Sequence, residues 1–168
     1  MKYFSANEMK CKCCGQLPEE ARMNGVDLVV NVLDPVREKF GKPIKANSFY
    51  RCSKNNLRCG GSPTSQHQCL GNNAAEDVCC GVKTANMLEF KIQNMEIARL
   101  IVKGGRFDQL ILENVGENDL LPAWVHVSWR RGGPNRGQIL KKVAGKAGYQ
   151  VVTKDEVCKL LGVVFKAK

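Results

Sequence analysis

Two histidines occur in the 168 residues, His67 and His126, and each stands where it could share a cation with other groups. His67 lies in the polar stretch Ser65-Gln66-His67, and the carboxylates Glu76 and Asp77 follow it. His126 sits in WVHVSW, residues 124–129, whose β-branched and aromatic content predicts a strand. Side chains alternate across a strand, so Trp124, His126 and Ser128 share one face and Val125, Val127 and Trp129 the other. The valines claim the core, and His126 turns toward a cleft or solvent. Imidazole and carboxylate are both good Zn²⁺ ligands. Two histidines with one carboxylate leave the fourth tetrahedral position open, which is the arrangement of a catalytic centre rather than a closed structural one. His67, Asp77 and His126 are therefore the candidate metal ligands. The reading requires their donor atoms to meet within about 5 Å.

The elements that must position these residues follow from periodicity. From Met23 to Phe40 apolar residues recur at three- and four-residue spacing, one stripe of an amphipathic helix, with Pro35 expected to kink or restart it and Gly41 to end it. Lys42–Tyr50 reads as a short strand, and the Asn-, Ser- and Gly-rich stretch from Arg51 to Gln68 as a loop. Ala74–Cys80 is a second strand and Met87–Val102 a second amphipathic helix, stopped by Gly104-Gly105. Phe107–Glu113 (FDQLILE) is a strand expected to pair beside WVHVSW. Residues 134–143 suit a third helix, and Val151–Lys168 a strand-and-helix appendage. The class is α+β, with no internal repeat.

Composition narrows the partners. At 43 % hydrophobic and 25 % charged residues the chain is an ordinary folded protein of one-domain size. No apolar run reaches the roughly 20 residues of a membrane span, so membrane insertion is not expected. The first residues carry no apolar signal region, and synthesis in the cytoplasm without a signal peptide is the expectation. Nine cysteines cannot all pair within one chain, so metal ligation or a mixture of thiols and bridges fits better than a disulfide framework. Buried thiols acting as small apolar groups fit equally well. The net charge is +10, and from Arg130 to Lys168 ten basic residues face two acidic ones. Such a tail suits a polyanion, and an anionic cell-wall surface is one candidate. Nucleic acid is not expected: paired C-x-x-C ligands at finger spacing and a basic-aromatic stripe are both lacking.

Several of these residues together resemble the zinc D-Ala-D-Ala carboxypeptidase and L-alanyl-D-glutamate endopeptidase family of peptidoglycan hydrolases, to which many phage endolysins belong. The pattern S-x-Y-R, Asn, G-G, S-x-H-x-x-G-x-A-x-D and a late W-x-H is carried by Ser48, Tyr50 and Arg51, by Asn56, Gly60 and Gly61, by Ser65 and His67, and by Trp124 with His126. Weaker matches are CKCCG at 11–15, Asp34 to Glu38, and FDQLILE, so the resemblance runs over about residues 3–150. It implies a small antiparallel-sheet core with flanking helices, like that of Hedgehog domains and D-Ala-D-Ala peptidases. It further implies a Zn²⁺ cofactor on His67, Asp77 and His126, and a zinc peptidase domain at 1–150 with residues 151–168 as a basic appendage packed on it. Arg51 and Ser65 would bind substrate. Relatives often carry a cysteine after the motif Arg, as Cys52 does here, so a disulfide or a small second metal site between Cys52 and the Cys11–Cys14 region is one implication.

Two departures stand out. The family's Asp lies seven residues after the first His, whereas His67 and Asp77 are ten apart; an insertion near Asn72-Asn73 would bulge the connection, with Glu76 the alternative ligand. Many relatives place an acid three residues before the second motif His, and here that position is Ala123. Glu113, at the end of FDQLILE, is the candidate general base, with Glu117 and Asp119 as runners-up. The resemblance thus implies a zinc-dependent peptidase acting as a monomer on peptidoglycan stem peptides or crosslinks. A phage-type lysin made in the cytoplasm and released to the cell wall by host lysis machinery suits it. The alternative is a non-catalytic zinc-stabilised wall- or protein-binding domain on the same fold, of the Hedgehog type.

Overall fold

The first apolar stripe becomes one nearly continuous helical rod. Helix α1 (Glu19–Leu28) runs into a π-helical turn (Val29–Leu33) and then α2 (Asp34–Phe40). Pro35 was expected to kink or restart the helix; instead the turn before it widens. The wider turn takes up the missing N–H and the bulk of the ring, and Asn31 donates its side-chain amide to the Asp27 carbonyl at 2.8 Å. The rod begins at Glu19 rather than Met23 and stops at Gly41, whose φ of 69° suits a residue without Cβ.

The computed structural model describes residues 1–162. Within them the chain continues through β1 (Ile44–Ser48), the short α3 (Ser53–Arg58), a 3₁₀ turn (Gln66–Gln68), β2 (Asn73–Cys80), α4 (Met87–Gly104), β3 (Gln109–Val115), β4 (Trp124–Arg130), β5 (Gln138–Val143), β6 (Gln150–Val151) and α5 (Lys154–Leu161). The α+β class stands. The six strands form one sheet in the order β1-β2-β4-β3-β5-β6, antiparallel except where β5 joins β3 in parallel.

Residues 134–143 are not a helix. Gln138–Val143 is strand β5, and the loop 51–68 contains α3 and the 3₁₀ turn. In β5, Leu140 lies across from Ile111 and Val143 across from Val115, and both are buried although strand alternation puts them on opposite faces. Buried positions three apart mimic a helical stripe, while the open edge of β3 requires a hydrogen-bonding partner.

One sheet face carries Val78, Leu110, Leu112, Val125 and Val127 against Leu28 and Val29 of the rod and Ile97 and Ile101 of α4, every one of them 1 % exposed or less. Asn94 of α4, fully buried, accepts the Cys80 N–H at 2.7 Å and donates to the Ala123 carbonyl at 2.7 Å, tying β2 to the start of β4. Of the C-terminal stretch, α5 sits on α4: Leu160 is buried and its carbonyl accepts the Arg99 Nε–H at 2.5 Å. Residues 163–168, including Lys166 and Lys168 of the basic appendage, lie outside the described residues.

Gly25 links this core to the other face. A Cβ there would meet the Phe49 ring at 2.6 Å and the Met9 sulfur at 3.1 Å, and the Phe49 carbonyl holds His67. Gly→Ala inside a helix ordinarily stabilises by about 0.5–1 kcal/mol. Here Gly25→Ala reverses the sign and destabilises by about 1–3 kcal/mol through overpacking, read as a lowered urea midpoint. A raised midpoint would show the ring free to move.

Candidate active site

The second sheet face holds the polar residues. In the β2–β4 ladder Asp77 stands opposite His126, and in the β3–β4 ladder Ile111 stands opposite His126 and Glu113 opposite Trp124. Asp77, His126, Glu113 and Trp124 therefore share one face, as alternation requires. His67 reaches the same point from the 3₁₀ turn. The connection to β2 makes up the longer His–Asp spacing: Cys69, Gly71 and Asn72 take φ of 55°, 58° and 66°, and the strand begins at Asn73. Asp77 thus arrives opposite His126.

His67 Nδ1–H donates to the Phe49 carbonyl at 2.9 Å, which leaves the Nε2 lone pair facing the cleft. That Nε2 lies 3.1 Å from His126 Nδ1 and 3.2 Å from Asp77 Oδ1, and His126 Nδ1 lies 3.1 Å from Asp77 Oδ1. All three residues are buried. Burial opposes ionisation of Asp77, but the neighbouring His67 and His126 outweigh it and hold the carboxyl below its usual range. Burial likewise lowers the His126 imidazole, against the pull of Asp77, and favours its neutral form. A single proton on His126 Nδ1 answers only part of this triangle of acceptors. On a tetrahedral ion with bonds of about 2.0 Å, ligand atoms sit about 3.3 Å apart, close to the separations found. The donor set fits a divalent cation.

Around this triangle, Arg51 pairs with Asp77 Oδ2, so the two carboxylate oxygens have separate partners. The Arg51 Nε–H donates to Ser48 Oγ at 2.7 Å. The guanidinium thus orients Asp77 while also lining the cleft. Glu76 points to the opposite face, where it is 1 % exposed and accepts the Ser48 N–H at 2.9 Å; it does not reach the triangle. Asn56 and Gly61 shape the loop ahead of Ser65. The Asn56 side-chain amide donates to the Ser62 carbonyl at 2.8 Å, and a Cβ on Gly61 would collide with Asn56 Oδ1 at 2.2 Å.

The triangle lies in a cleft of about 900 Å³, lined also by Ser65, Glu113, Trp124 and Tyr149. Burial raises the Glu113 carboxyl to about 7, with Asp77 adding to the shift and His126 opposing it. The Glu113 carbonyl accepts the Ala123 N–H at 2.8 Å. The acid missing at position 123 therefore has a carboxylate beside it on the neighbouring strand. Glu117 and Asp119 are elsewhere: Glu117 pairs with Lys146, and Asp119 Oδ1 accepts the N–H groups of Gly116 and Leu121 at 3.2 and 2.8 Å.

Sequence reasoning missed one wall of the cleft. Asp108, 2 % exposed, receives Arg136 through Nη2 at 2.6 Å and Nε at 3.0 Å, and Gln66 Nε2 at 2.8 Å. Arg136 fell in the segment read as helix, and nothing local marked Asp108. Tyr149 also escaped notice. It is brought over the cleft by the β5–β6 turn, which Lys142 holds through the carbonyls of Lys146 and Gly148 at 2.6 and 3.1 Å. The alternation Gln109, Ile111, Glu113 was the one available signal for this side of the cleft.

Two imidazoles and a carboxylate converge in an open cleft, with a further carboxylate on the same face, a grouping that could hold a metal ion beside a carboxylate. Residues 2–103 match the family described as Peptidase M15, and the chain belongs to that family, whose members are zinc-dependent metallopeptidases. The matched segment carries His67 and Asp77; His126 and Glu113 lie beyond it and are joined to it by the sheet. No curated protein and no solved structure gives a significant match to the chain.

Proposed function

We propose that the chain is a zinc-dependent peptidoglycan peptidase that hydrolyses stem-peptide or crosslink amide bonds, of the D-Ala-D-Ala carboxypeptidase or L-Ala-D-Glu endopeptidase type, acting as a phage-type lysin. The observation that carries the reading is the convergence of His67 Nε2, Asp77 Oδ1 and His126 Nδ1 in a cleft that also presents Glu113. These three residues would hold Zn²⁺, which when bound lowers the pKa of water toward about 7 and polarises the scissile carbonyl. Glu113 takes the proton of the attacking water and returns it to the leaving amine. Arg51 orients Asp77 through their ion pair, and its guanidinium edge in the cleft meets a substrate carboxylate or the developing oxyanion. Ser65 hydrogen-bonds the substrate from the cleft rim. The basic C-terminal region adds salt-sensitive attraction to an anionic wall. Among the described residues no helix is long and apolar enough to cross a membrane.

Zymography on purified bacterial cell walls, with and without a chelator, tests the reading. Clearing that is lost on chelation and restored by Zn²⁺ is expected. Ala123 favours one other reading, a non-catalytic wall-binding domain. Wall binding without clearing at any zinc concentration would establish that reading instead.

The Glu113 carboxyl gives the pH dependence its sign. A general base works ionised, so kcat/KM rises with pH along a single acidic limb, which lies at or below about 7 because a bound cation draws the carboxyl down. Hydrolysis rates from pH 5 to 9 check this. Activity that falls across that limb would remove Glu113 from the role.

A further inference from the structure

We propose that Cys11, Cys13, Cys14 and Cys52 form a second metal site, a tetrathiolate that takes Zn²⁺ as a structural ion and clasps the N-terminal segment to the strand end carrying Arg51. This does not rest on the proposed peptidase activity. The four sulfur atoms lie within 4.8 Å of one another. The closest contacts are Cys13 to Cys52 at 3.3 Å and Cys11 to Cys13 at 3.6 Å, and all four cysteines are free thiols. A disulfide needs about 2.05 Å, whereas four sulfurs on a tetrahedral zinc with bonds of about 2.3 Å sit about 3.8 Å apart.

The backbone is shaped for this grouping. Cys11 N–H donates to the Gln16 carbonyl at 2.9 Å and Gly15 N–H to the Cys11 carbonyl at 2.8 Å, closing a tight turn with Gly15 at φ 69°. Three cysteines on that turn project toward the start of α3, where Cys52 completes the set. The Cys52 N–H donates to Cys11 Sγ at 3.4 Å, a contact that favours the thiolate a metal requires. A zinc tetrathiolate carries net negative charge, and Lys10, Lys12 and Arg51 flank the cysteines in sequence.

The position gives the clasp a role. Tyr50 N–H donates to the Met9 carbonyl at 3.3 Å, and Arg51 N–H donates to the His67 carbonyl at 2.8 Å. Fixing Cys52 therefore fixes the backbone beside both Arg51 and His67. Among the described residues the other five cysteines join no such group.

The test uses the full chain prepared under reducing conditions and loaded with Zn²⁺ or Co²⁺. Two zinc ions per chain are expected by elemental analysis, with four thiols protected from a thiol reagent until a chelator is added. The Co²⁺ form should show intense near-ultraviolet thiolate charge-transfer bands. Cys14→Ser, an exposed and mild change, should weaken zinc binding at this site by more than the roughly 10–100-fold typical of outer-shell changes and diminish those bands. His126→Ala should keep the bands and one zinc. A Co²⁺ chain without thiolate bands, or mass loss showing a disulfide among these four cysteines, would overturn the proposal even if His67, Asp77 and His126 bind zinc. The converse failure, thiolate-bound metal alone, would leave the clasp intact and remove the catalytic centre.

Discussion

Loss of the proposed peptidoglycan hydrolysis, with loss of one metal ion per chain from zinc-loaded protein, is the expected result of His126→Ala. The imidazole is one of three donors whose atoms stand 3.1 to 3.2 Å apart, and two donors do not hold a catalytic zinc in a site that also admits water and substrate. Losing a Lewis acid worth several kcal/mol, about 4 kcal/mol as a working figure, lowers the rate by about 10³-fold or more. Zinc content, together with the rate on purified peptidoglycan, checks the result. Asp77→Asn provides a second variant in case the cavity left by His126 unfolds β4. It keeps the shape but removes the anion that balances both the cation and Arg51. Wild-type lysis with unchanged zinc content in both variants would end the metal-centre account.

Glu113→Gln should have the next largest effect, and it acts in two directions. In the proposed role of general base, Glu113 would contribute about 10²–10⁴-fold to the rate, so kcat should fall by that amount while zinc content and KM stay near wild type. Stability moves oppositely. Burial raises the folded-state carboxyl from its ordinary 4.5 to about 7, so the folded chain binds the proton more tightly than the unfolded one. Below about 4.5 both states are protonated. Between about 4.5 and 7 the wild type loses stability as pH rises, and above about 7 it carries the full penalty. Glutamine has no charge to bury. The metal-free variant is therefore more stable than the metal-free wild type at pH 8, by about 1–3 kcal/mol, and equal to it near pH 4. Chemical denaturation at the two pH values reads the difference. Unchanged kcat would return the base role to another group, and a pH-independent stability difference would show that Glu113 is not desolvated.

Sequence alone singled out the two histidines as candidate ligands and gave much of the frame. They were legible because ligand types are few and strand alternation is local: WVHVSW could turn His126 only away from its valines. The choice between Asp77 and Glu76 stayed open until the register against β4 put Asp77 opposite His126 and Glu76 on the other face. The α4 helix and strands β1 to β4 were legible for the same reason, since period and turn residues act over a few positions. Tertiary structure decided what depended on distant partners. Strand β5 exists because β3 offered an unpaired edge, which no pattern within residues 134–143 could reveal. Asp108 met Arg136, and Tyr149 reached the cleft, only through that pairing. Glu113 was separated from Glu117 and Asp119 by register against Trp124, and Cys52 joined the Cys11–Cys14 turn only once β1 had carried it there. Hydrogen-bonding demand and close packing act between segments far apart in the chain, so their outcome is fixed only when the whole sheet assembles.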